Sequence, residues 1–464
     1  MKAKSFFSII MIAAVISACS KEVLRYPNDK EPVENGYLVL ILKNASVRKA
    51  AGSSVDHGSI LDNKINSLTV ALTDASGNIE FVKTPSVKNG ITEEFKVAPG
   101  DYYIYALVNS QIPVSAGQNI NQVITAASET DAVFGYNNGS FLMVNQRSTS
   151  SGQAGVYTII NNSNTQNMPA IATIYVDRVA CKIIDDTDYE KNPPSISLLA
   201  DVTGNFIDGI NIYGFALLNV SKRFNLIQTW DPFNLQGISL DAEILSTPLY
   251  NNNFAADQYF CTINKYTHIS KDINNNITGI TDITAGVDNL FGKGPVYTTE
   301  NRPAIINIGN CGITASRNET TGVIYKVQAR SGGADLGTFY RYNNVLTDNI
   351  EDIQELPEFS NKNLSVLGYP TLRALGIQVY ENGIMYYSYF IRDHDMAHLY
   401  EDNYYYAVFR NSTYKLNIYS ISALGDDVPG GVVSEYSPID TEEACLNVSL
   451  EANPWVLNTI NITL

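Results

Sequence analysis

Only four histidines occur in the 464 residues, and two of them, His394 and His398, stand in one acidic stretch with Asp393, Asp395, Glu401 and Asp402. On a helix the two imidazoles would share a face, and with a carboxylate they would make a divalent-metal site. The stretch lies between two aromatic-rich runs, however, where a polar connecting loop is the simpler account, and no metal is assigned. The acidic pairs Asp185/Asp186 and Asp426/Asp427 sit in turn-like segments and read as solvated. The Asn runs at 251–253 and 274–276 read as loops rather than Ca²⁺ ligands. There is no P-loop, dinucleotide fingerprint, nucleophile elbow or His-Glu-x-x-His zinc helix. Gly292-Lys293-Gly294 lacks the rest of any phosphate loop. No catalytic residue and no cofactor is assigned, and the chain reads as a non-enzyme.

Cysteine carries the clearest chemistry. Lys2 and Lys4 precede an apolar run over 6–16, followed by Ser17, Ala18 and Cys19. That is an export signal, too short for a bilayer span of ~20 residues. Ile16-Ser17-Ala18-Cys19 matches the bacterial lipobox, in which cleavage falls between Ala18 and Cys19 and the Cys19 thiol is acylated. Several acyl chains anchor stably, at roughly 0.8 kcal/mol per buried CH₂. No later stretch reaches spanning length, which leaves Cys19 as the membrane device. The other cysteines, Cys181, Cys261, Cys311 and Cys445, are widely separated without a CxxC. They allow three pairings in principle and read as mostly buried, unpaired thiols.

Composition narrows the partners. Lys plus Arg number 31 against 47 Asp plus Glu, a net charge of −16 with pI near 4.7. That acidity argues against nucleic acid or an anionic membrane surface. Apolar residues reach 45%, enough for real cores, while charged residues are 17%, below the ~25% usual in soluble domains. With 29 Tyr, 31 Gly and 17 Pro, the chain suits many short strands joined by turns.

The elements follow. At ~150 residues per domain the length allows about three domains or fewer. Residues 20–35 are polar, with Pro27 and Pro32, and read as a tether. Tyr37-Leu38-Val39-Leu40-Ile41-Leu42 is an unbroken apolar run, the pattern of a fully buried strand. Residues 43–54, with Arg48-Lys49, have the composition of an exposed, protease-accessible loop. Strands are expected over 67–73, 79–83, 94–98, 102–109, 141–144 and 170–184, the last with a phase slip near Arg178 that would fit a bulge. These suit one Greek-key sandwich. Residues 185–195 are charged with a Pro pair and make the best linker in the chain. Beyond it strands are expected over 210–220, 295–297, 323–329, 376–380, 385–392, 404–410, 414–421, 446–450 and 459–464. Short helices are expected at 351–355 and 371–375. No fixed-period repeat is visible.

Several segments, in order along nearly the whole chain, resemble the Bacteroidales fimbrial subunits, the type V pilins, and more the minor-fimbrium shaft subunit than the major one. They are Val97-Ala98-Pro99-Gly100-Asp101-Tyr102-Tyr103 through Val108-Asn109, Gly139-Ser140-Phe141-Leu142-Met143-Val144-Asn145, and Asp177-Arg178-Val179-Ala180-Cys181-Lys182-Ile183. In the second half, Tyr213-Gly214-Phe215-Ala216-Leu217-Leu218-Asn219 and Val296-Tyr297-Thr298-Thr299-Glu300-Asn301 fit. Glu381-Asn382-Gly383-Ile384-Met385-Tyr386-Tyr387 with Ile391-Arg392, Phe409-Arg410-Asn411-Ser412-Thr413-Tyr414, and Pro454-Trp455 match more closely. Ser412 stands where the family usually has His.

The resemblance implies an all-β fold of two tandem transthyretin-like Greek-key sandwiches. It also implies a lipidated precursor that a protease cuts, removing the first strand so that the next subunit's C-terminal segment can fill the groove. On this chain that gives a signal peptide over 1–19, a propeptide with the removable strand over 20–48, and sandwiches over 49–188 and 189–464. The favoured cut is between Arg48 and Lys49, and Arg25 is the second choice. The cut after Arg48 would strip Leu38, Leu40 and Leu42, or Val39 and Ile41, from the core. Ile460, Ile462 and Leu464 alternate with polar residues behind Trp455 and read as the donor strand. The expected partners are further copies or related subunits in a head-to-tail polymer, a maturation protease, and the outer membrane through the lipid. The expected location is the cell surface. A tip adhesin or monomeric glycan-binding surface lipoprotein stays open as the alternative, with the Tyr-rich runs 386–389 and 404–406 as sugar platforms.

Overall fold

The computed structural model describes residues 33–44, 58, 62–124, 127–129, 134–135, 140–147, 153–197, 205–221, 223–235, 238–246, 262–263, 268–271, 277–281, 291–303, 305–307, 313–315, 319–393, 406–429 and 446–454. The fold is all-β, with a few short helices such as Ile350–Gln354 and Tyr369–Ala374 close to where the sequence places them.

The first half builds one ten-stranded sheet. Its opening strands are β1 (Gly36–Asn44), β2 (Leu68–Thr73), β3 (Ile79–Lys83), β4 (Val87–Lys88), β5 (Ile91–Thr92), β6 (Phe95–Val97) and β7 (Gly100–Val108). The order runs β3, β2, β7, Met143–Asn145, Ala170–Arg178, β1, β5, β4, with Val156–Ile160 on β7 and β6 on β1. Turn chemistry fixes the hairpins. Between β2 and β3 the Asp74 carboxylate accepts from the Ser76 and Asn78 backbone N–H groups at 2.8 Å each, and Gly77 supplies φ +82°. After β7, Asn109 adopts φ 55° and its amide bonds Lys64 O and Phe141 O.

The second half carries two five-stranded sheets. One centres on Ser412–Ile421, flanked by Cys181–Asp185 in parallel and by Leu446–Pro454 antiparallel. The other pairs Gly209–Leu218 with Gly322–Ser331, on whose far side lies Ile384–Phe390. The buried residues of the first sheet and of both later sheets join in one contiguous cluster, from Leu38 through Leu217 and Tyr325 to Ile418.

The expected bulge near Arg178 is a change of sheet. Ala170–Arg178 belongs to the first sheet, and after Val179 and Ala180 the strand Cys181–Asp185 pairs with Thr413–Leu416 and with Val296–Thr298 in a later one. Both strands face one core, but alternate burial up to Val176 gives way to continuous burial through Ile183, so the phase slip records the handover. The change of sheet therefore precedes the charged stretch 185–195 instead of falling inside it. That stretch is tied to the second half: Thr187 Oγ1 accepts from Ile418 N–H at 2.9 Å.

Candidate functional site

The strand expected over 37–42 is β1, and it is held on both flanks. On one side it runs parallel to Ala170–Arg178, in register from Leu38 opposite Ala170 to Asn44 opposite Val176. On the other it is antiparallel to β6, with Gly36 opposite Val97 and Leu38 opposite Phe95, and to β5, with Ile41 opposite Ile91. At β5 the Thr92 hydroxyl accepts from Leu40 N–H at 2.9 Å, and just before it Gly90 O accepts from Leu42 N–H at 2.7 Å. Tyr37 N–H donates to Asn164 O at 3.0 Å.

Strand geometry sends alternate side chains to opposite faces. Leu38, Leu40 and Leu42 are at most 1% exposed, whereas Val39 and Ile41 are only half-buried. The run is therefore not buried on both faces as its unbroken apolarity implied, and of the two faces left open by the sequence the leucines face the core. At its start a Cβ on Gly36 would lie 2.5 Å from Ile160 Cγ2, so close approach requires glycine there. Polar contacts pin the same end: Glu34 pairs with Lys83 at 2.6 Å, and the Lys96 ammonium sits 5.8 Å from the Tyr37 ring centroid.

The chain that returns from β1 to β2 is clamped where the halves meet. Asp62, 3% exposed, pairs with Lys182 at 3.1 Å and accepts from the Tyr297 hydroxyl at 3.2 Å. Arg178, 1% exposed, donates through Nε to Asp62 O at 3.0 Å and through its guanidinium to Asn63 Oδ1 at 2.5 Å and Asn411 Oδ1 at 3.2 Å. Asn411, at φ 59°, also donates its backbone N–H to Ala180 O at 2.8 Å. Its neighbour Arg410 forks onto the Glu300 carboxylate, with Nε to Oε2 at 2.8 Å, both side chains almost fully buried. Three of the segments that carry the family resemblance, those at 177–183, 296–301 and 409–414, thus converge on one seam. Asp62 escaped sequence reading because it sits in a polar stretch with no pattern of its own, and its partners are more than a hundred residues away.

Cys181 is a free, buried thiol whose pKa is pushed well up by burial, which leaves it unreactive. Asp427 corrects the reading of 426–427 as solvated turn acids. It is buried, accepting from Arg373 Nε and from Val379 N–H at 2.7 Å each. Asp393 accepts from the buried Tyr414 hydroxyl at 2.8 Å, and the rest of the His-acid stretch lies outside the described residues. Among the described residues no group of three or more His, Cys, Asp or Glu is placed to hold a metal, and no helix is long and apolar enough to cross a membrane.

Ala18, Cys19, Arg25, Arg48 and Lys49, the cysteines 261, 311 and 445, and the terminal Trp455, Ile460, Ile462 and Leu464 also lie outside the described residues. The last described strand, Leu446–Pro454, pairs with Ser412–Ile421 of its own chain, from Leu446 opposite Ile421 to Pro454 opposite Ser412.

Residues 378–461 match the family described as "Major fimbrial subunit protein type IV, Fimbrillin, C-terminal". No curated protein matches the chain. Among solved structures the chain is similar to a fimbrilin (fimA) from Porphyromonas gingivalis W83, at 13% identity and TM-score 0.46, covering 92% of this chain and 99% of that one. It is similar to a putative cell adhesion protein from Parabacteroides distasonis, at 10% identity and TM-score 0.46, covering 91% and 100%. A third is the tip fimbrial protein Mfa3 from Porphyromonas gingivalis, at 14% identity and TM-score 0.37, covering 90% and 99%. The resemblance to the Bacteroidales fimbrial subunit family, read first from scattered motifs, is borne out, and residues 378–461 are where the family match falls.

Proposed function

We propose that this chain is a structural, non-enzymatic subunit of a cell-surface fimbria, made as a precursor lipidated on Cys19 and polymerised by strand exchange. In this reading a protease cuts between Arg48 and Lys49 and releases β1. The slot it leaves then takes the terminal segment of the next subunit, with Ile460, Ile462 and Leu464 in place of Leu38, Leu40 and Leu42. The observation that carries the reading is the seating of β1: wholly buried leucines at alternate positions, between strands that pair with it on both flanks. Such a slot specifies a strand, because backbone hydrogen bonds supply affinity and side chains at every second position set register. A head-to-tail contact of this kind does not close on itself and so extends into a filament, the form in which the subunit would mediate adhesion.

The clamp on Asp62 fits the same scheme. Cutting at Arg48 leaves the retained chain held at Asp62 and Asn63, so the loss of β1 need not loosen β2. The test is the mature N-terminus by mass spectrometry together with deletion of 460–464. A start at Lys49, and folded monomers from the deletion, are expected. Assembled subunits that retain residues 37–42, or a deletion that still polymerises fully, overturn the proposal.

A further inference from the structure

We propose that a cleft on the second half of the chain is a binding site for a neutral oligosaccharide of two to three sugar residues. The cleft, of about 500 Å³, opens beside the sheet formed by Gly209–Leu218, Gly322–Ser331 and Ile384–Phe390. Its volume falls within the ~300–1,000 Å³ range of small-ligand sites.

A backbone irregularity builds it. The pairing of Gly209–Leu218 with Gly322–Ser331 slips between Ile212 and Gly214, a bulge of the kind that re-aims side chains beside binding sites. A Cβ on Gly214 would stand 2.5 Å from Gly292 O, and only this glycine lets the 291–292 segment close onto the strand, where Phe215 and Gly292 exchange both backbone hydrogen bonds. The bulge and that bridge bring Tyr213 and Phe291 to either side of Lys326, whose ammonium lies 5.6 Å from one ring centroid and 5.9 Å from the other. Tyr213 is 43% exposed, an unusual degree for a tyrosine on a strand of this sheet, and lines the cleft.

The polar side is fixed just as firmly. Gln328 is 4% exposed, and its Nε2 donates to Ala329 O, Leu336 O and Asn382 O at 2.9–3.1 Å. Three carbonyls on the nitrogen settle the amide orientation and leave Oε1 as an acceptor on the cleft wall. Beside it Glu381 gives one oxygen to Arg373 at 2.9 Å, and Asn382 is exposed at φ 53°. Arg373, bonded to both Glu381 and Asp427, offsets the wall's acidic charge from behind.

Aromatic rings lining one cleft with an ammonium and with amide and carboxylate acceptors match a sugar, whose axial C–H groups pack on a ring while its hydroxyls donate to the acceptors and accept from Lys326. A polyanion is disfavoured by the carboxylates on the wall and by the net charge of −16. The proposal does not depend on strand exchange and applies equally to monomer and polymer.

Saturation-transfer NMR on the full chain, with lactose, cellobiose, maltose and N,N′-diacetylchitobiose as probes, tests it. At least one should bind, and Tyr213→Ala should weaken it about tenfold, the loss expected on removing an aromatic anchor. Tyr213 is exposed, so the variant's melting temperature should be unchanged, which separates lost binding from lost fold. No transfer to any of them, equal transfer to Tyr213→Ala, or binding confined to sialyllactose and sulfated oligosaccharides overturns the proposal.

Discussion

Under the proposed strand exchange, Leu40→Ala distinguishes the precursor from the assembled form. Leu40 lies at the centre of β1, wholly buried, with Leu38 and Leu42 on the same face. Its neighbours belong to strands paired on both flanks, so the space left by the truncated side chain has little room to collapse. A cost of about 3–4 kcal/mol follows, within the ~2–5 kcal/mol seen for such truncations. At roughly 2–4 °C per kcal/mol for a unit of this size, the precursor's transition should fall by about 6–16 °C. In a polymer that has shed β1 the substituted residue is gone, so the polymer should dissociate on heating at the wild-type temperature. Leu72→Ala, on the retained strand β2 and equally buried, is the control and should lower both values. Calorimetry on precursor and polymer reads the difference. If Leu40→Ala lowers both transitions alike, and peptide mapping recovers residues 37–42 from assembled subunits, the reasoning fails.

Asp62→Ala should cost about 3–5 kcal/mol by urea denaturation, because it removes the buried carboxylate that pairs with Lys182 and accepts from Tyr297; a loss below about 1 kcal/mol would mean that the seam relaxes around the gap. Gly214→Ala should disrupt the bulge through its contact with Gly292 O, read as altered amide resonances confined to residues 210–216 and 290–294; an unchanged spectrum would refute the close approach. Burial raises the phenol pKa of Tyr102 to about 12 and drives those of Tyr325, Tyr380 and Tyr414 well above the ordinary 10.0. A folded-state pKa raised above the unfolded value gives stability that is complete below pH ~10 and drains away as pH climbs toward the folded values. The share of tyrosinate absorbance due to these buried phenols should therefore appear only in a cooperative step with unfolding in the alkaline range, and titration of all 29 tyrosines near pH 10 with the fold intact would contradict it.

The strand pattern was legible wherever local alternation and turn residues decide structure. The 67–73 and 79–83 segments, with Asp74 to Asn78 between them, emerge as β2, β3 and their turn within a residue or so. Where the outcome depends on distant partners the sequence was silent. The phase slip near Arg178 marks the change of sheet at 179–180 only as an irregularity, since a bulge and a change of sheet interrupt alternation alike. Nothing local tells that Asp427 is buried, since its cation, Arg373, is 54 residues away. The two faces of the 37–42 run are equally apolar, and only the flanking strands select the leucines. The Tyr213 cleft was invisible for a related reason: Tyr213, Phe291 and Lys326 come from separate parts of the chain and meet through a bulge and two glycines. The tyrosines singled out at 386–389 serve mainly as core, with Tyr386 and Tyr387 at 6% and 2% exposure.

The two-sided pairing of β1 bears on how exchange would proceed. Its three core leucines are worth about 1.5–3 kcal/mol each, hence about 5–9 kcal/mol together. That is comparable to the ~5–15 kcal/mol that holds an ordinary domain folded. An edge strand would expose one row of unpaired backbone on leaving, whereas β1 would expose two, along Ala170–Arg178 and along β5 and β6. At 1.4 kcal/mol per tenfold, the leucines alone keep the empty slot of the uncut chain to roughly one molecule in 10⁴–10⁶. A cut at Arg48, as proposed, would remove none of these contacts and neither backbone ladder, so a cleaved β1 would leave slowly on its own. Exchange would then run fastest through an incoming strand that takes over the ladder bond by bond, so that neither edge is ever bare along its whole length. On this account cut but unassembled subunits retain the 20–48 peptide non-covalently. The rate of assembly should then rise with the concentration of donor strand instead of levelling off at the rate of spontaneous release.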